Sequence, residues 1–283
     1  MTESIDTFDL VQLVQLTVDL IDAQAGQTIP PGKHWLNDTA TLALKIFHHA
    51  SSVSVLCRGT DFVSGEERRI SFIDYASISL IARATLENYL VFSYIYDAKN
   101  MERSEYRHMT WQMSGLMDRQ KYISALPENN QKQKFEAETI GRLMEKIKTN
   151  PHFQMLTSKQ QERLIKGEWR MNLQWIDLAM GSGLDRQYFI NIYKHFCGYS
   201  HTAYLSTLQM RDSWNSFQDQ QKMTVMVAGV VCSVLAHFAH DYCEFFPAAR
   251  AALYAHPSHK RIADNWRVTR EQWAEFRSQQ QGQ

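Results

Sequence analysis

The sequence predicts an all-α protein, folded as a single large bundle of about eight to ten helices. Three observations support this. The 283 residues include only 12 glycines and 6 prolines, too few turn formers for a chain of many short strands. Hydrophobic residues make up 44% of the chain, which is enough to bury a substantial core. These residues recur at helical spacing, and strand-like alternation never persists.

The first half of the chain reads as three apolar helices, over about residues 7–24, 38–58 and 72–98. Gly26 ends the first helix, and Asn37 or Asp38 caps the second. A polar loop over 60–69 precedes the third helix. Because that third helix has almost no polar face, we expect neighbouring helices to surround it.

More polar helices follow, over about 102–125 and 130–149. They predict a polar helical hairpin or insertion around 100–150, at the outside of the bundle. Beyond Pro151, the predicted helices cover about 158–166, 170–181, 186–210 and 217–246, with Asp185 as the cap of the third of these. Pro247 and Pro257 bound a short helix, and an amphipathic helix over about 260–279 comes last.

No linker separates two globular parts, so the sequence predicts one domain over 1–283. Its core would lie at about 40–210, with the C-terminal helices of 217–279 added to it.

Charge balance, cysteine spacing and the N-terminal sequence argue against a strongly nucleic-acid-binding or secreted protein. Lys and Arg balance Asp and Glu at 30 each, so there is no strong charge signature for nucleic acid. The four cysteines form no C-x-x-C pair and the N-terminus lacks a secretory pattern, which together favour the cytoplasm. The apolar stretch 223–240 contains histidine, serine and threonine, so we interpret it as a buried helix and expect no membrane partner.

A charged pair inside the third helix is the strongest candidate for chemistry. Arg83 and Glu87 are the only charged residues in 75–96, and their spacing of four places them on one helix face. Charges in an apolar helix are costly unless they are paired and hydrogen-bonded. Two interpretations stay open: an ion pair that satisfies itself at the edge of the core, or the floor of a polar pocket.

The helix predicted over 186–210 supplies polar groups to meet this pair. At 3.6 residues per turn, one face of it carries five side chains with hydroxyl, thiol or imidazole groups: Tyr193, Cys197, Ser200, His201 and Tyr204. In this arrangement Glu87 would orient His201 while Arg83 holds an anion. The predicted catalytic residues are therefore Arg83, Glu87 and His201, with the other four as binding residues.

The same positions carry a family resemblance. The elements are Arg83-x-x-x-Glu87 and, downstream, Trp169, Ile176-x-x-Ala179, Gly183, Tyr188, Tyr193 and Ser200-His201. This pattern resembles an uncharacterised bacterial all-helical family with an Arg-x-x-x-Glu … Tyr … Ser-His pattern. That family is distantly similar to HEPN proteins of toxin–antitoxin and phage-defence systems, and the resemblance covers about residues 40–210.

The resemblance implies a defence or toxin effector, and, if the protein is an enzyme, a metal-independent endoribonuclease. RNA, a second copy of the chain and an operon-encoded protein are the candidate partners. HEPN ribonucleases carry Arg-x(4–6)-His on one helix, whereas no arginine lies four to six residues before His201, so Arg83 would have to act from another helix. The alternative is a non-catalytic helical module that binds a ligand or drives oligomerisation.

A second group of residues has the spacing of a metal site, although we predict neither a bound metal nor a cofactor. Imidazoles and carboxylates recur at helical spacing in His237, His240, Asp241 and Glu244. His48 and His49 are candidates for a further ligand. We expect instead that these groups lie at the solvent edge of a helix.

Overall fold

The computed structural model describes residues 5–65, 68–122 and 127–281. Its described residues form fourteen α-helices, one short 3-10 helix and a two-stranded hairpin, which confirms the all-α prediction. The helices outnumber the predicted eight to ten partly because two predicted helices are each broken in two, and because Pro151–Gln154 form a short helix that was not predicted.

The described residues divide into two compact units. The first unit takes its residues from Met1–Phe92 and Ala179–Gln283, and the second from Ser93–Leu178. The predicted polar insertion around 100–150 falls within the second unit. Whether the chain folds as one domain, as the sequence predicts, stays a prediction, because compactness alone does not establish independent folding.

The first unit begins with helices α1 and α2, a hairpin and most of α3, and it ends with six helices. The N-terminal elements are α1 (Ile5–Gln24), the 3-10 helix (His34–Leu36), α2 (Asn37–Leu56), β1 (Thr60–Ser64), β2 (Arg68–Phe72) and α3 (Tyr75–Ile95). The C-terminal elements are α9 (Arg186–Ser200), α10 (Tyr204–Ser213), α11 (Phe217–Phe245), α12 (Pro247–Ala255), α13 (Pro257–Trp266) and α14 (Arg270–Gln281).

Helix α11 lies at the centre of the first unit. Helices α1, α2, α12 and α13 all pack against it. From Val227 to Ala239 almost every α11 side chain is buried, and Phe238 meets Phe92 of α3 edge to face. Burial all round a helix is what an uninterrupted apolar sequence predicts.

The second unit contains a helical hairpin and three shorter helices. Helices α4 (Met101–Gln120) and α5 (Pro127–Thr149) pack together, followed by α6 (Pro151–Gln154), α7 (Ser158–Ile165) and α8 (Trp175–Gly181). The last residues of α3 and all but the end of α8 belong to this unit as well. Its core brings together Tyr106, Met113, Ile147, Phe153 and Leu164, so the largely polar hairpin still buries one apolar stripe.

One described helix, α11, is long and apolar enough to cross a membrane. However, 72% of its most apolar stretch is buried inside the protein. This burial is typical of a core helix and agrees with the expectation of a buried helix at 223–240.

Three predicted elements differ in kind from the structure, while the helix predicted over 102–125 ends at Gln120 and the helix predicted over 170–181 begins at Trp175. The predicted polar loop over 60–69 contains β1 and part of β2, which pair antiparallel with Phe62 opposite Ile70. The predicted helix over 186–210 breaks after Ser200, and the predicted final helix breaks after Trp266. At the second break, a capping box between Thr269 and Gln272 starts α14: each residue's backbone N–H bonds the other's side-chain oxygen.

Candidate functional site

The charged pair of α3 meets α9 through a single residue. Arg83 Nε donates a hydrogen bond of 2.9 Å to Glu87 Oε1, and the Tyr193 hydroxyl donates one of 2.7 Å to the same oxygen. Arg83 Nη2 in turn donates to the Tyr193 hydroxyl at 3.1 Å. The three side chains therefore form a closed triangle, which we call the Arg–Glu–Tyr network.

Packing holds the tyrosine in this position. The Arg83 guanidinium lies 5.1 Å from the centroid of the Tyr193 ring, and Phe189 stacks on that ring at 5.1 Å. Only 22% of the Arg83 side chain and 25% of the Glu87 side chain are exposed. The network lies at the edge of the core, where mutual hydrogen bonds compensate for much of the lost hydration.

The surroundings of Tyr193 and Arg83 keep both side chains protonated. Burial raises the pKa of Tyr193, and the hydrogen bond to the Glu87 carboxylate raises it further. Burial lowers the pKa of Arg83, but its bonds to Glu87 and Tyr193 outweigh that and the net shift is upward. A general acid or base works best with a pKa near the operating pH. The phenol and the guanidinium instead keep their protons, so the network is suited to holding helices together.

The other predicted site residues lie elsewhere. His201 is the exposed C-terminal cap of α9, and no hydrogen bond or ion pair between described residues joins its side chain to Arg83 or Glu87. Tyr204 is 74% exposed at the start of α10. The Ser200 hydroxyl donates to the Phe196 carbonyl of its own helix, and Cys197 is half-buried. Of the five described residues on the predicted polar face, only Tyr193 forms a hydrogen bond with the charged pair.

A residue with a left-handed backbone conformation ends α9 earlier than the sequence predicts. Thr202 has φ 51°, and the Ala203 N–H bonds the Gly198 carbonyl at 2.8 Å, which is the six-residue bond of a Schellman ending. Such endings normally use glycine, because a β-branched residue is strained there. The sequence around 201–203 has no glycine or proline, so nothing in it predicted the break, which places Tyr204 on a separate helix from Tyr193 and leaves His201 as the exposed cap of α9.

The histidine and acid row of α11 does not form a metal site. His237 Nε2 lies 3.2 Å from the Val268 carbonyl, His240 faces Asp264 at 3.2 Å, and Asp241 accepts a hydrogen bond from Tyr89. Glu244 is exposed. Among residues 5–65, 68–122 and 127–281, no group of three or more such side chains is placed to hold a metal ion, and His48 and His49 add none. The expectation that these residues lie at a solvent edge is wrong for His237, which is buried.

A cavity of about 680 Å³ lies between the β-hairpin and the turn from α10 to α11, and we call it the hairpin cavity. Its volume is within the range of small-molecule sites. Apolar surface dominates its lining, and Trp214 (68% exposed) and Phe62 (57% exposed) are part of it. The lining residues are Thr60, Phe62, 69–76, Met210, Ser213, Trp214, Asn215 and Gln220.

Buried hydrogen bonds shape this cavity. Gln220 of α11 accepts from the Ile73 N–H at 2.8 Å and donates to the carbonyls of Ser213 and Trp214 at 3.2 Å. The hydroxyls of Tyr75 and Ser213 lie 2.7 Å apart. One amide side chain thus ties the chain leaving the hairpin to the end of α10.

Gly59 sets where the hairpin begins. Its φ of 84° is left-handed, and a Cβ there would come within 3.3 Å of the Phe72 carbonyl oxygen and 3.4 Å of the Phe217 ring. The left-handed φ favours glycine, and the Phe72 carbonyl leaves little room for a Cβ. Sequence reasoning missed the cavity, because its walls come from segments about 140 residues apart. The one available signal was the short alternation of polar and apolar residues in Arg69-Ile-Ser-Phe72, at the end of the stretch that we predicted to be a loop.

No family model, curated protein or solved structure matches this chain. The resemblance to HEPN proteins therefore stays a prediction.

Proposed function

We propose that this protein is a non-catalytic helical module that binds a small organic ligand in the hairpin cavity. The observation that carries the proposal is the cavity itself: about 680 Å³, largely apolar, with its buried polar groups bonded to one another. Sites for small organic ligands are typically concave and apolar, with few polar groups.

The Arg–Glu–Tyr network has a structural role in this proposal. Its three side chains bond one another, and among the described residues no histidine forms a hydrogen bond or ion pair with them. The ribonuclease hypothesis requires His201 next to Arg83, and the geometry gives it no support. It stays a prediction, as do association with RNA, with a second copy of the chain or with an operon-encoded protein.

A cavity-filling variant tests the proposal. Ala76 lines the hairpin cavity and is half-buried, so Ala76→Phe should reduce its volume. We would screen a fragment collection by thermal unfolding of the wild type, Ala76→Phe and Ala251→Phe, the last changing an exposed alanine of α12. Some fragments should raise the Tm of the wild type and of Ala251→Phe but not that of Ala76→Phe. A screen without stabilising fragments, or with equal stabilisation of all three proteins, would contradict the proposal.

A further inference from the structure

We infer that the hairpin cavity selects an uncharged, flat and largely apolar molecule, and that this molecule holds the β-hairpin against the helices. The inference rests on the proposed function and names the ligand class that the cavity walls fit. It also names the part of the fold that responds to binding.

The aromatic side chains at the cavity favour a flat ligand. Phe62 comes from β1, and Trp214 follows directly after α10, so the two belong to different sides of the cavity. Both are more than half exposed, which leaves ring surface available for stacking. A planar ring that covers them also removes its own apolar surface from water.

The charged groups in the cavity wall already have partners. Arg69 forms an ion pair with Asp61, and Asp74 accepts a hydrogen bond of 3.0 Å from the Ser77 N–H at the start of α3. An anionic ligand would lose hydration on entering this apolar space and find no unpaired positive charge, because Arg69 pairs with Asp61. A cationic ligand would lose hydration too and would find only the Asp74 carboxylate, which already caps α3. An uncharged ligand avoids that cost.

The remaining hydrogen-bonding capacity is exposed. The Tyr75, Ser213 and Gln220 side chains bond one another or the nearby backbone. The side chains of Thr60 and Asn215 are exposed and make no hydrogen bond with any described residue. A ligand with one hydroxyl or amide at its edge could bond there while its ring fills the apolar part of the cavity.

The hairpin gains contacts from such a ligand. It has only two strands, every β1 residue is exposed, and a two-stranded sheet is marginal without packing partners. The Ile73 N–H to Gln220 bond anchors the chain just after β2, and helix α11 contacts β2. A molecule that touches β1, β2 and Trp214 together would add a second anchor, so the hairpin should open less often when it is bound.

Three probes of the same shape and different charge test the ligand class: 2-naphthol, 2-naphthoate and 2-naphthylmethylammonium. Equilibrium dialysis at pH 7 would give the Kd of each. We expect 2-naphthol to bind at least about tenfold more tightly than either ion. Hydrogen exchange of the amides in 60–64 and 68–72 should slow several-fold at saturating 2-naphthol, and the amides of α5 should not change.

Paired variants locate the probe. Trp214→Ala and Phe62→Ala should each raise the Kd of 2-naphthol about tenfold. Their controls are Tyr204→Ala, an exposed aromatic residue of α10, and Val63→Ala, which is 64% exposed and neighbours Phe62; neither lines the cavity. All four positions are more than half exposed, so the variants should fold, which circular dichroism would verify.

Three results would contradict the inference, each in a different part. Equal or tighter binding of 2-naphthoate would overturn the ligand class and leave ligand binding in the cavity intact. Undiminished 2-naphthol binding to both Trp214→Ala and Phe62→Ala would overturn the placement. If no probe binds although the fragment screen yields ligands that Ala76→Phe loses, the inference fails and the proposed function stands.

Discussion

The hydroxyl of Tyr193 donates a 2.7 Å hydrogen bond to Glu87 Oε1, and this bond links α9 to the one charged turn of an otherwise apolar α3. Because Glu87 Oε1 also accepts from Arg83, a single carboxylate oxygen joins two elements more than 100 residues apart in sequence. If the network holds the two helices together, removing this bond should lower the free energy of unfolding.

Removing that hydroxyl should destabilise the protein. Tyr193→Phe keeps the ring that stacks on Phe189 but deletes both hydrogen bonds of the oxygen, so we expect a loss of about 1–2 kcal/mol in the free energy of unfolding. Urea unfolding measures it. Tyr204→Phe, at an exposed tyrosine, should change stability by less than about 0.5 kcal/mol. Equal effects of the two changes would contradict the assigned role.

Replacing the whole ion pair should be tolerated better than breaking it. Glu87→Leu leaves the Arg83 guanidinium without its carboxylate, and we expect a loss of about 2 kcal/mol because the pair is only partly exposed. The double variant Arg83→Met with Glu87→Leu should recover at least half of that loss, because no unpaired charge remains. Chemical unfolding of both variants checks this, and a double variant less stable than the single one would argue against it.

The left-handed residue after α9 offers a stabilising change. Thr202→Gly should raise the free energy of unfolding by about 1 kcal/mol, because glycine adopts φ 51° without strain. Thr207→Gly, at an exposed helical position of α10, is the matched control and should lower stability by a similar amount. Thermal unfolding compares them. The same sign for both substitutions would refute the assigned geometry.

Acid should destabilise the protein partly through one histidine. Burial lowers the pKa of His237 to about 4, against an unfolded value of 6.5, and the Val268 carbonyl opposes this only in part. Between those two values the unfolded chain binds more protons, so the contribution of His237 is complete above pH 6.5 and is lost as the pH falls towards 4. The full loss is roughly 3 kcal/mol.

A non-titrating variant isolates this contribution. His237→Gln keeps a hydrogen-bond donor, and its free energy of unfolding should fall less between pH 7 and pH 4.5 than that of the wild type. The exposed His34→Gln serves as control and should follow the wild-type curve. Identical pH dependence of the wild type and His237→Gln would show that the buried imidazole does not couple to folding.

The ribonuclease hypothesis has a direct test. Because no hydrogen bond joins His201 to Arg83, we expect purified wild type, His201→Ala and Arg83→Ala to leave total RNA equally intact over hours. Gel analysis of the RNA measures the outcome. RNA decay by the wild type that both variants abolish would overturn the proposal of a non-catalytic module.

Much of the fold was predictable from local sequence. Apolar periodicity located α1, α2, α3 and α11 to within a few residues, and Pro247 and Pro257 marked the boundaries of the short helix α12. The polar composition of α4 and α5 predicted a helical hairpin. Each of these features depends on residues that are neighbours on one helix, which is why the sequence alone was sufficient.

For the candidate site, the sequence determined only that Arg83 and Glu87 needed a polar partner, because an unpaired charge in an apolar helix is too costly. Tertiary structure decided which partner it was: Tyr193 bonds the pair, whereas His201 is the exposed cap of α9 and makes no hydrogen bond to the pair. The hairpin cavity also arises only in three dimensions, since Phe62 and Trp214 are brought together by the packing of distant segments. Helical spacing specifies a face within one helix, but it says nothing about where that helix breaks or what it packs against.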